Sequence, residues 1–198
     1  MKRFFLILIL IINIQSWGKA NDIKDYTIEG MSLEESLLNH FSEDQILNNV
    51  VDWYDDLEKN RYLSMAFGGP DFESYEYVDV WTKHGDKKYI IEGIAGSIYF
   101  GKDKDIKDIN HCYDRQKEIA KEFENIFDSS VKDGPHKMNH TADPSGKSSY
   151  TDIYFEVGKK YFITLSCYDW SDSMLKSENK ADHFSIFFRS YALSDWLS

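Results

Sequence analysis

The sequence has little proline and glycine, with 3 Pro and 11 Gly in 198 residues, which excludes a collagen-like or Pro-rich linker protein. It also lacks a basic stripe, because 34 Asp and Glu outnumber 23 Lys and Arg and give a net charge of −11. Nucleic-acid binding needs clustered cations that neutralise phosphates, so this class is excluded. Hydrophobic residues at 42% and aromatic residues at 16% exclude disorder over most of the chain. The composition therefore indicates an acidic, aromatic-rich globular protein.

The first residues have the three parts of a secretory signal peptide. Lys2 and Arg3 precede nine apolar residues (4–12), and Ala20 is a small residue at the expected cleavage position. The alternative, an uncleaved anchor, is disfavoured because a spanning helix needs about 20 apolar residues. We expect cleavage after residue 20 and a periplasmic or secreted mature chain without a membrane span. Its net charge would be −14, since the removed segment carries three basic residues and no acid.

Cys112 and Cys167 are the only cysteines, and an even number in an exported chain predicts a disulfide. Helical spacing from residue 109 onward places Cys112 on an apolar stripe. Cys167 lies on the inner face of the strand-like run 161–167, so both thiols can face one core. The alternative is a nucleophilic Cys112 activated by His111, but adjacent helical residues point about 100° apart.

Two short helices are predicted near the start of the mature chain, after a lead strand at residues 26–29. Ser32 with Glu35 has the pattern of a capping box, and Ser42 with Gln45 repeats it. The apolar stripes of the two helices would be Leu33, Leu37, Leu38 and Phe41, then Ile46, Leu47, Val50, Val51 and Tyr54.

Alternation of apolar and polar residues predicts strands in both parts of the chain. A 3.6-residue period predicts a long amphipathic helix over 108–127, and the polar segment 128–149 predicts a loop. The predicted strands are 62–67, 75–83, 88–100, 150–157, 161–168 and 183–191.

The two parts of the chain resemble each other. Residues 79–81 (DVW) match 152–154 (DIY) at an offset of 73, which becomes 72 after the following turn. The alternative is two unrelated meander hairpins with similar turns. We predict an α+β fold of two similar halves, 21–103 and 104–198, each a helix or helix pair followed by a three-stranded antiparallel meander. The halves would form one compact domain or two closely packed repeats.

His136, His140 and Asp143 are the candidate metal ligands, because two histidines at i and i+4 on a helix can hold a metal ion. Pro135 and Pro144 interrupt this segment, so a surface loop is the favoured interpretation. No nucleophile motif of the G-x-S-x-G type occurs either. We therefore predict no catalytic residues, no metal and no cofactor.

Tyrosines and tryptophans are frequent in the predicted strands. Large rings fill the interface between a sheet and a helix, but an exposed Tyr and Trp face is also typical of a binding surface. Both interpretations stay open from the sequence. The candidate partner-binding residues are Tyr75, Tyr77, Trp81 and Tyr154.

Several stretches together resemble a group of uncharacterised exported proteins from AT-rich marine bacteria of the Pelagibacter type. They are residues 28–38 (IEGMSLEESLL), 94–100 (IAGSIYF), 111–113 (HCY), the helix 118–127 and 145–148 (SGKS). The positions of these stretches span most of the mature chain. The resemblance implies export and carries no particular activity.

The order of a strand, then Gly30-Met31-Ser32 with a helix, then a meander is similar to the repeat of beta-lactamase-inhibitor-like proteins and small outer-membrane assembly lipoproteins. This likeness covers only the start of each half, and the lipid-bearing cysteine of the lipoproteins is absent. It implies binding rather than catalysis.

We therefore expect an exported, non-catalytic protein-interaction module. Its partner would be an envelope protein. The first alternative is a carrier of a small ligand in an aromatic pocket. The second is a small metal-dependent hydrolase that uses His136, His140 and Asp143.

Overall fold

A computed structural model describes residues 23–51, 61–69, 72–101, 106–127, 130–177 and 180–197. The predicted signal peptide with its cleavage site, and Tyr54 of the second predicted helix, lie outside these ranges. The strands are β1 (Val50–Val51), β2 (Tyr62–Gly68), β3 (Tyr77–Lys83), β4 (Ile91–Tyr99), β5 (Val131–Asn139), β6 (Ser149–Val157), β7 (Tyr161–Asp169) and β8 (His183–Ser190). The α-helices are α1 (Glu43–Asn48), α2 (Ile109–Ile126), α3 (Asp172–Ser177) and α4 (Tyr191–Trp196), and 3-10 turns lie at Ile23–Asp25 and Leu37–Asn39.

The predicted fold class is wrong. The eight strands form an antiparallel sheet in the order β1-β2-β3-β4-β8-β7-β6-β5. In the described ranges, three of the four α-helices have only 6 residues, and α2 with 18 is the long one. The protein is therefore β-rich, and it is not a balanced α+β fold of two helix-plus-meander halves.

The first predicted helix is missing because its backbone pairs with another segment. Glu34 has a φ of +66°, which no right-handed helix accommodates. The Glu34 N–H donates to the Ile91 carbonyl at 2.9 Å, and the Ile91 N–H donates to the Glu35 carbonyl at 2.9 Å. The Glu35 side chain still accepts the N–H of Ser32, which is one of the two hydrogen bonds of a capping box, although no α-helix follows. The predicted lead strand is also absent, and Ile28 makes only an isolated bridge.

The second predicted helix starts as expected and ends early. Ser42 and Gln45 form the reciprocal capping box of α1. The helix ends at Asn48, and the β-branched pair Val50-Val51 becomes β1, which pairs with β2. Two consecutive valines favour a strand over a helix because their χ1 rotation is restricted.

The predicted loop 128–149 is wrong in its first part, because β5 lies there and pairs with β6. Most β5 side chains are exposed on both faces, so the segment shows no alternation of apolar and polar residues. Pro135 is tolerated because β5 ends the strand order and its register shifts between Asp133 and His136. Proline and a bulge also protect a sheet edge from pairing with other chains.

The chain divides into two compact units, and the first comprises the residues up to Gly96 and from Phe188 onward. Its aromatic contacts include stacked Phe41 and Phe67 rings, with centroids 4.2 Å apart, and the tilted pair of Tyr62 and Trp196 at 5.1 Å. The predicted boundary between residues 103 and 104 stays a prediction.

The second unit runs from Ser97 to Phe187, and in it α2 packs on β7. The predicted disulfide between Cys112 and Cys167 is confirmed. One helical turn further on, the buried Gln116 side chain donates to the carbonyls of Thr151 and Leu165, both at 2.7 Å. The helix is therefore fixed to the sheet by a covalent bond and by two buried hydrogen bonds. In the described part of the chain, no helix is both long and apolar enough to cross a membrane.

Gly134 is expected to resist substitution because the sheet backbone passes close to it. Its φ is +106°, and a Cβ there would lie 2.6 Å from the Asp152 carbonyl oxygen. We expect Gly134→Ala to lower the free energy of unfolding by about 2 kcal/mol, measured by urea denaturation. Gly146→Ala is the matched control, because Gly146 has a φ of +67° and nothing within 4 Å of its Cβ position. Equal losses in both variants would show that the close approach is unimportant.

Candidate functional site

The two faces of the sheet in the second unit differ. Phe155 of β6 contacts Phe123 of α2 at a centroid distance of 5.8 Å, and Cys167 of β7 is bonded to α2. Side chains alternate along a strand, so Tyr150 of β6 and Tyr168 of β7 point to the face away from α2. Several aromatic rings lie on this face of the sheet, opposite α2.

The rings of neighbouring strands form a line across the sheet. Tyr150 and Tyr168 are paired across β6 and β7, with stacked rings 5.8 Å apart. Tyr168 also stacks on His183 of β8, with centroids 4.3 Å apart and 12° between the planes. His183 in turn contacts the Tyr99 ring edge-on at 5.9 Å.

Two further rings join this line from loops. His140 follows β5 and lies 4.3 Å from the Trp170 ring and 5.7 Å from the Tyr150 ring. Trp170 follows β7 and is parallel to Tyr168 within 12° at 6.4 Å. Trp170 is buried and the other five residues are partly buried. We call Tyr99, His140, Tyr150, Tyr168, Trp170 and His183 the aromatic row.

Contacts of the ring nitrogens fix the neutral form of each histidine. The Ala142 N–H donates to Nδ1 of His140 at 3.2 Å, so the ring proton of neutral His140 lies on Nε2. Nδ1 of His183 lies 2.8 Å from the Ala181 carbonyl, which can only accept, so that proton is on Nδ1. His140 therefore presents an N–H donor at Nε2, and His183 presents a lone pair there.

Both imidazoles are uncharged at neutral pH. Burial lowers the pKa of His183 to about 4. Burial and then the positive charge of Lys180 lower the pKa of His140, and the Asp143 carboxylate opposes this shift. The row is therefore free of formal charge at pH 7, although the chain as a whole is strongly acidic.

The carboxylate of Asp143 fastens the loop that carries His140. Its Oδ1 accepts the Ser145 N–H at 2.9 Å. Its Oδ2 accepts the N–H and hydroxyl of Ser148, at 2.9 and 2.6 Å, and the hydroxyl of Ser171 at 2.9 Å. These bonds, with that from the Ser148 hydroxyl first, hold the pKa of Asp143 well below its usual range despite burial. We call Asp143, Ser145, Ser148 and Ser171 the serine–carboxylate cluster.

The described serine hydroxyls near the row do not form a Ser–His pair. The Ser148 side chain is fully buried and donates to a carboxylate, and no described hydrogen bond of His140 or His183 involves a hydroxyl group. In a Ser–His dyad the histidine lies within hydrogen-bonding distance of the serine. Stacked tyrosine, tryptophan and histidine rings, by contrast, provide a large contact area of fixed geometry.

The predicted partner-binding residues occupy different environments. Tyr75 and Trp81 are only 6% and 3% exposed, so their rings offer little area to a partner. Tyr77 is 42% exposed. Tyr154 is partly buried, and its hydroxyl donates to Asp152 Oδ2 at 2.6 Å.

The structure places the three candidate metal ligands in different environments. His136 lies on β5 and contacts Asp133 at 2.9 Å, whereas His140 belongs to the aromatic row and Asp143 to the serine–carboxylate cluster. Four residues of extended chain span about 13 Å, too far for His136 and His140 to share one ion. Among the described residues, no group of three or more His, Cys, Asp or Glu could hold a metal ion.

Sequence reasoning missed the aromatic row because the row depends on register between strands. The tyrosines at 99, 150 and 168 belong to predicted strands, but no local pattern pairs them. No sequence pattern around Trp170 or His183 indicated a functional role for either residue. A histidine at the start of a strand, beside a paired tyrosine, is recognisable only once β6, β7 and β8 are aligned.

Comparisons of the chain with protein-family models, curated proteins and solved structures found no match. The function must therefore be argued from the residues themselves.

Proposed function

We propose that this chain is an exported, non-catalytic protein-interaction module that recognises its partner through the aromatic row. The observation that carries the proposal is the run of six contacting rings on the sheet face away from α2. Interface centres are enriched in tyrosine and tryptophan and depleted in charged residues. The aromatic row has this composition, because it contains tyrosine and tryptophan rings and no formal charge, although the chain as a whole is acidic.

Export is part of the proposal and rests on two supports. Residues 1–20 have the pattern of a secretory signal peptide. The disulfide is of a kind that persists in oxidising compartments such as the bacterial periplasm. An envelope protein is therefore the partner class that we propose.

Tyr168 is the residue whose replacement tests the proposal, because its ring contacts four other members of the row. Immobilised protein would first be used to capture a partner from an envelope extract, and the dissociation constant would then be measured for each variant. We expect Tyr168→Ala to weaken binding about 30-fold or more, as for a central interface residue. Tyr168→Phe, which keeps the ring, should bind within about threefold of the wild type.

Tyr77→Ala is the matched control, since Tyr77 is exposed but outside the row. It should leave the dissociation constant unchanged. Thermal unfolding of each variant separates loss of binding from loss of fold. A Tyr168→Ala protein that is folded and binds like the wild type would contradict the proposal. If Tyr77→Ala loses binding and Tyr168→Ala does not, the interface includes Tyr77 and not the aromatic row.

A further inference from the structure

Three nitrogen donors next to the aromatic row have no acceptor in the described part of the chain. Trp170 is 8% exposed, and its indole Nε1–H is buried without a hydrogen-bond partner. The described hydrogen bond of the His140 ring is made at Nδ1, and none is described at its Nε2–H. Lys180 forms no ion pair with any of the described residues, and its ammonium lies 5.6 Å from the centre of the Trp170 ring.

The side chains that carry these donors contact each other. The His140 and Trp170 rings are 4.3 Å apart, and Lys180 lies over the same indole. Buried donors are almost always hydrogen-bonded, so the indole N–H of Trp170, on a ring that contacts His140 and Lys180, calls for an acceptor.

The neighbouring carboxylates do not supply this acceptor. Asp143 is occupied by hydrogen bonds within the serine–carboxylate cluster. Asp182 accepts the backbone N–H of Trp170 on its Oδ1 at 2.7 Å and makes no ion pair with Lys180. In the described part of the chain, therefore, neither carboxylate accepts a hydrogen bond from these three donors.

We infer that the edge of the aromatic row formed by His140, Trp170 and Lys180 binds the carboxylate group of a ligand whose attached planar or apolar part contacts the tyrosine rings. This inference rests on the proposed function and names the chemistry that the row recognises. A carboxylate supplies two acceptor oxygens and one negative charge, which matches two neutral N–H groups and one ammonium. A phosphate dianion would bring a second negative charge next to a single ammonium in a strongly acidic chain, so a carboxylate is the better match.

The shared carboxylate chemistry has two sources, an acidic or C-terminal group of a partner protein and a free aromatic acid. Benzoate is the first probe, with benzamide as its uncharged counterpart and acetate as the carboxylate without a ring. The readout is the indole N–H resonance of Trp170 in ¹H–¹⁵N spectra, assigned with Trp170→Phe. We expect benzoate to shift this resonance with a dissociation constant of about 1–10 mM, as for a ligand of this size, and benzamide and acetate to bind at least about tenfold more weakly.

Lys180→Met should weaken benzoate binding at least about tenfold, whereas Lys176→Met on α3, also exposed, should leave it unchanged. The inference is overturned if benzoate and benzamide shift the resonance equally. It is also overturned if neither shifts it, which would leave an ordered water as the acceptor of the indole N–H.

A pair of aromatic peptides, one ending in a free carboxylate and one in an amide, identifies the source. If the protein binds the peptide with the free carboxylate more tightly than the amidated peptide and more tightly than benzoate, the natural ligand is the end of a protein chain. If it binds the peptide with the free carboxylate more weakly than benzoate, the natural ligand is a free aromatic acid. Equal binding of the two peptides contradicts the inference. If benzoate does not bind and Lys180→Met leaves capture of the envelope partner intact while Tyr168→Ala abolishes it, the carboxylate inference fails and the proposed function stands. If both variants capture the partner like the wild type, the proposed function fails as well.

Discussion

Replacing both cysteines with alanine is expected to lower the free energy of unfolding by about 4 kcal/mol. The bond closes a chain segment with a sequence separation of 55 residues, and opening a loop of this length returns much conformational freedom to the unfolded chain. Both sulfur positions are fully buried, so alanine is preferred to serine, which would place unpaired hydroxyl groups in the core. The measurement is urea denaturation followed by circular dichroism.

The wild-type protein in excess reductant is the internal control for this experiment. Because the described chain contains no free cysteine, reduction removes the same constraint as the double substitution. Reduced wild type and the Cys112→Ala/Cys167→Ala variant should have nearby urea midpoints, both well below the oxidised protein. An oxidised protein no more stable than the variant would show that the unfolded chain gains little freedom when the bond is absent.

Acidification is expected to destabilise the protein through His183. The pKa of His183 is lowered by burial to about 4 in the folded protein, from 6.5 in the unfolded chain. The unfolded state therefore takes up this proton first, and the stability present above pH 6.5 is lost as the pH falls from 6.5 to about 4. The shift corresponds to about 3 kcal/mol at most. The His183→Phe variant keeps a ring against Tyr168 and removes the titration.

The quantity to measure is the difference in unfolding free energy between wild type and His183→Phe at several pH values. A difference is needed because Asp79 acts in the opposite direction. Burial raises the pKa of Asp79 to about 7, so its ionisation costs stability as the pH rises from 3.8 to 7. Both proteins share Asp79, and its contribution cancels. Parallel curves for the two proteins between pH 6.5 and 4 would contradict the assignment to His183.

Sequence patterns predicted the elements whose residue types follow a regular pattern. Strands β2, β3, β4, β6, β7 and β8 and helix α2 were all placed within a few residues, because β-branched and aromatic runs or a helical apolar stripe are visible in the sequence itself. The cysteine pair was predicted for the same reason, since each thiol lies on the apolar side of its element. Most of the secondary structure in the second unit could thus be predicted from residue patterns.

The failures occurred where contacts distant in sequence decide the local structure. Ser32 and Glu35 have a valid helix-start pattern, but hydrogen bonds to Ile91 hold this segment in another conformation. Strand β5 has no buried face and so has no alternation to detect. The aromatic row required the pairing of Tyr150 with Tyr168, and register between strands is not encoded in either strand alone.

The serine–carboxylate cluster has a consequence for the kinetics and entropy of recognition. Asp143 and Ser148 belong to the loop that carries His140, whereas Ser171 directly follows Trp170, and the shared carboxylate ties the two segments together. The rings on these segments are therefore already positioned before any ligand arrives. If the row binds the partner that we propose, association would need no slow rearrangement of these loops and would cost little conformational entropy in the protein.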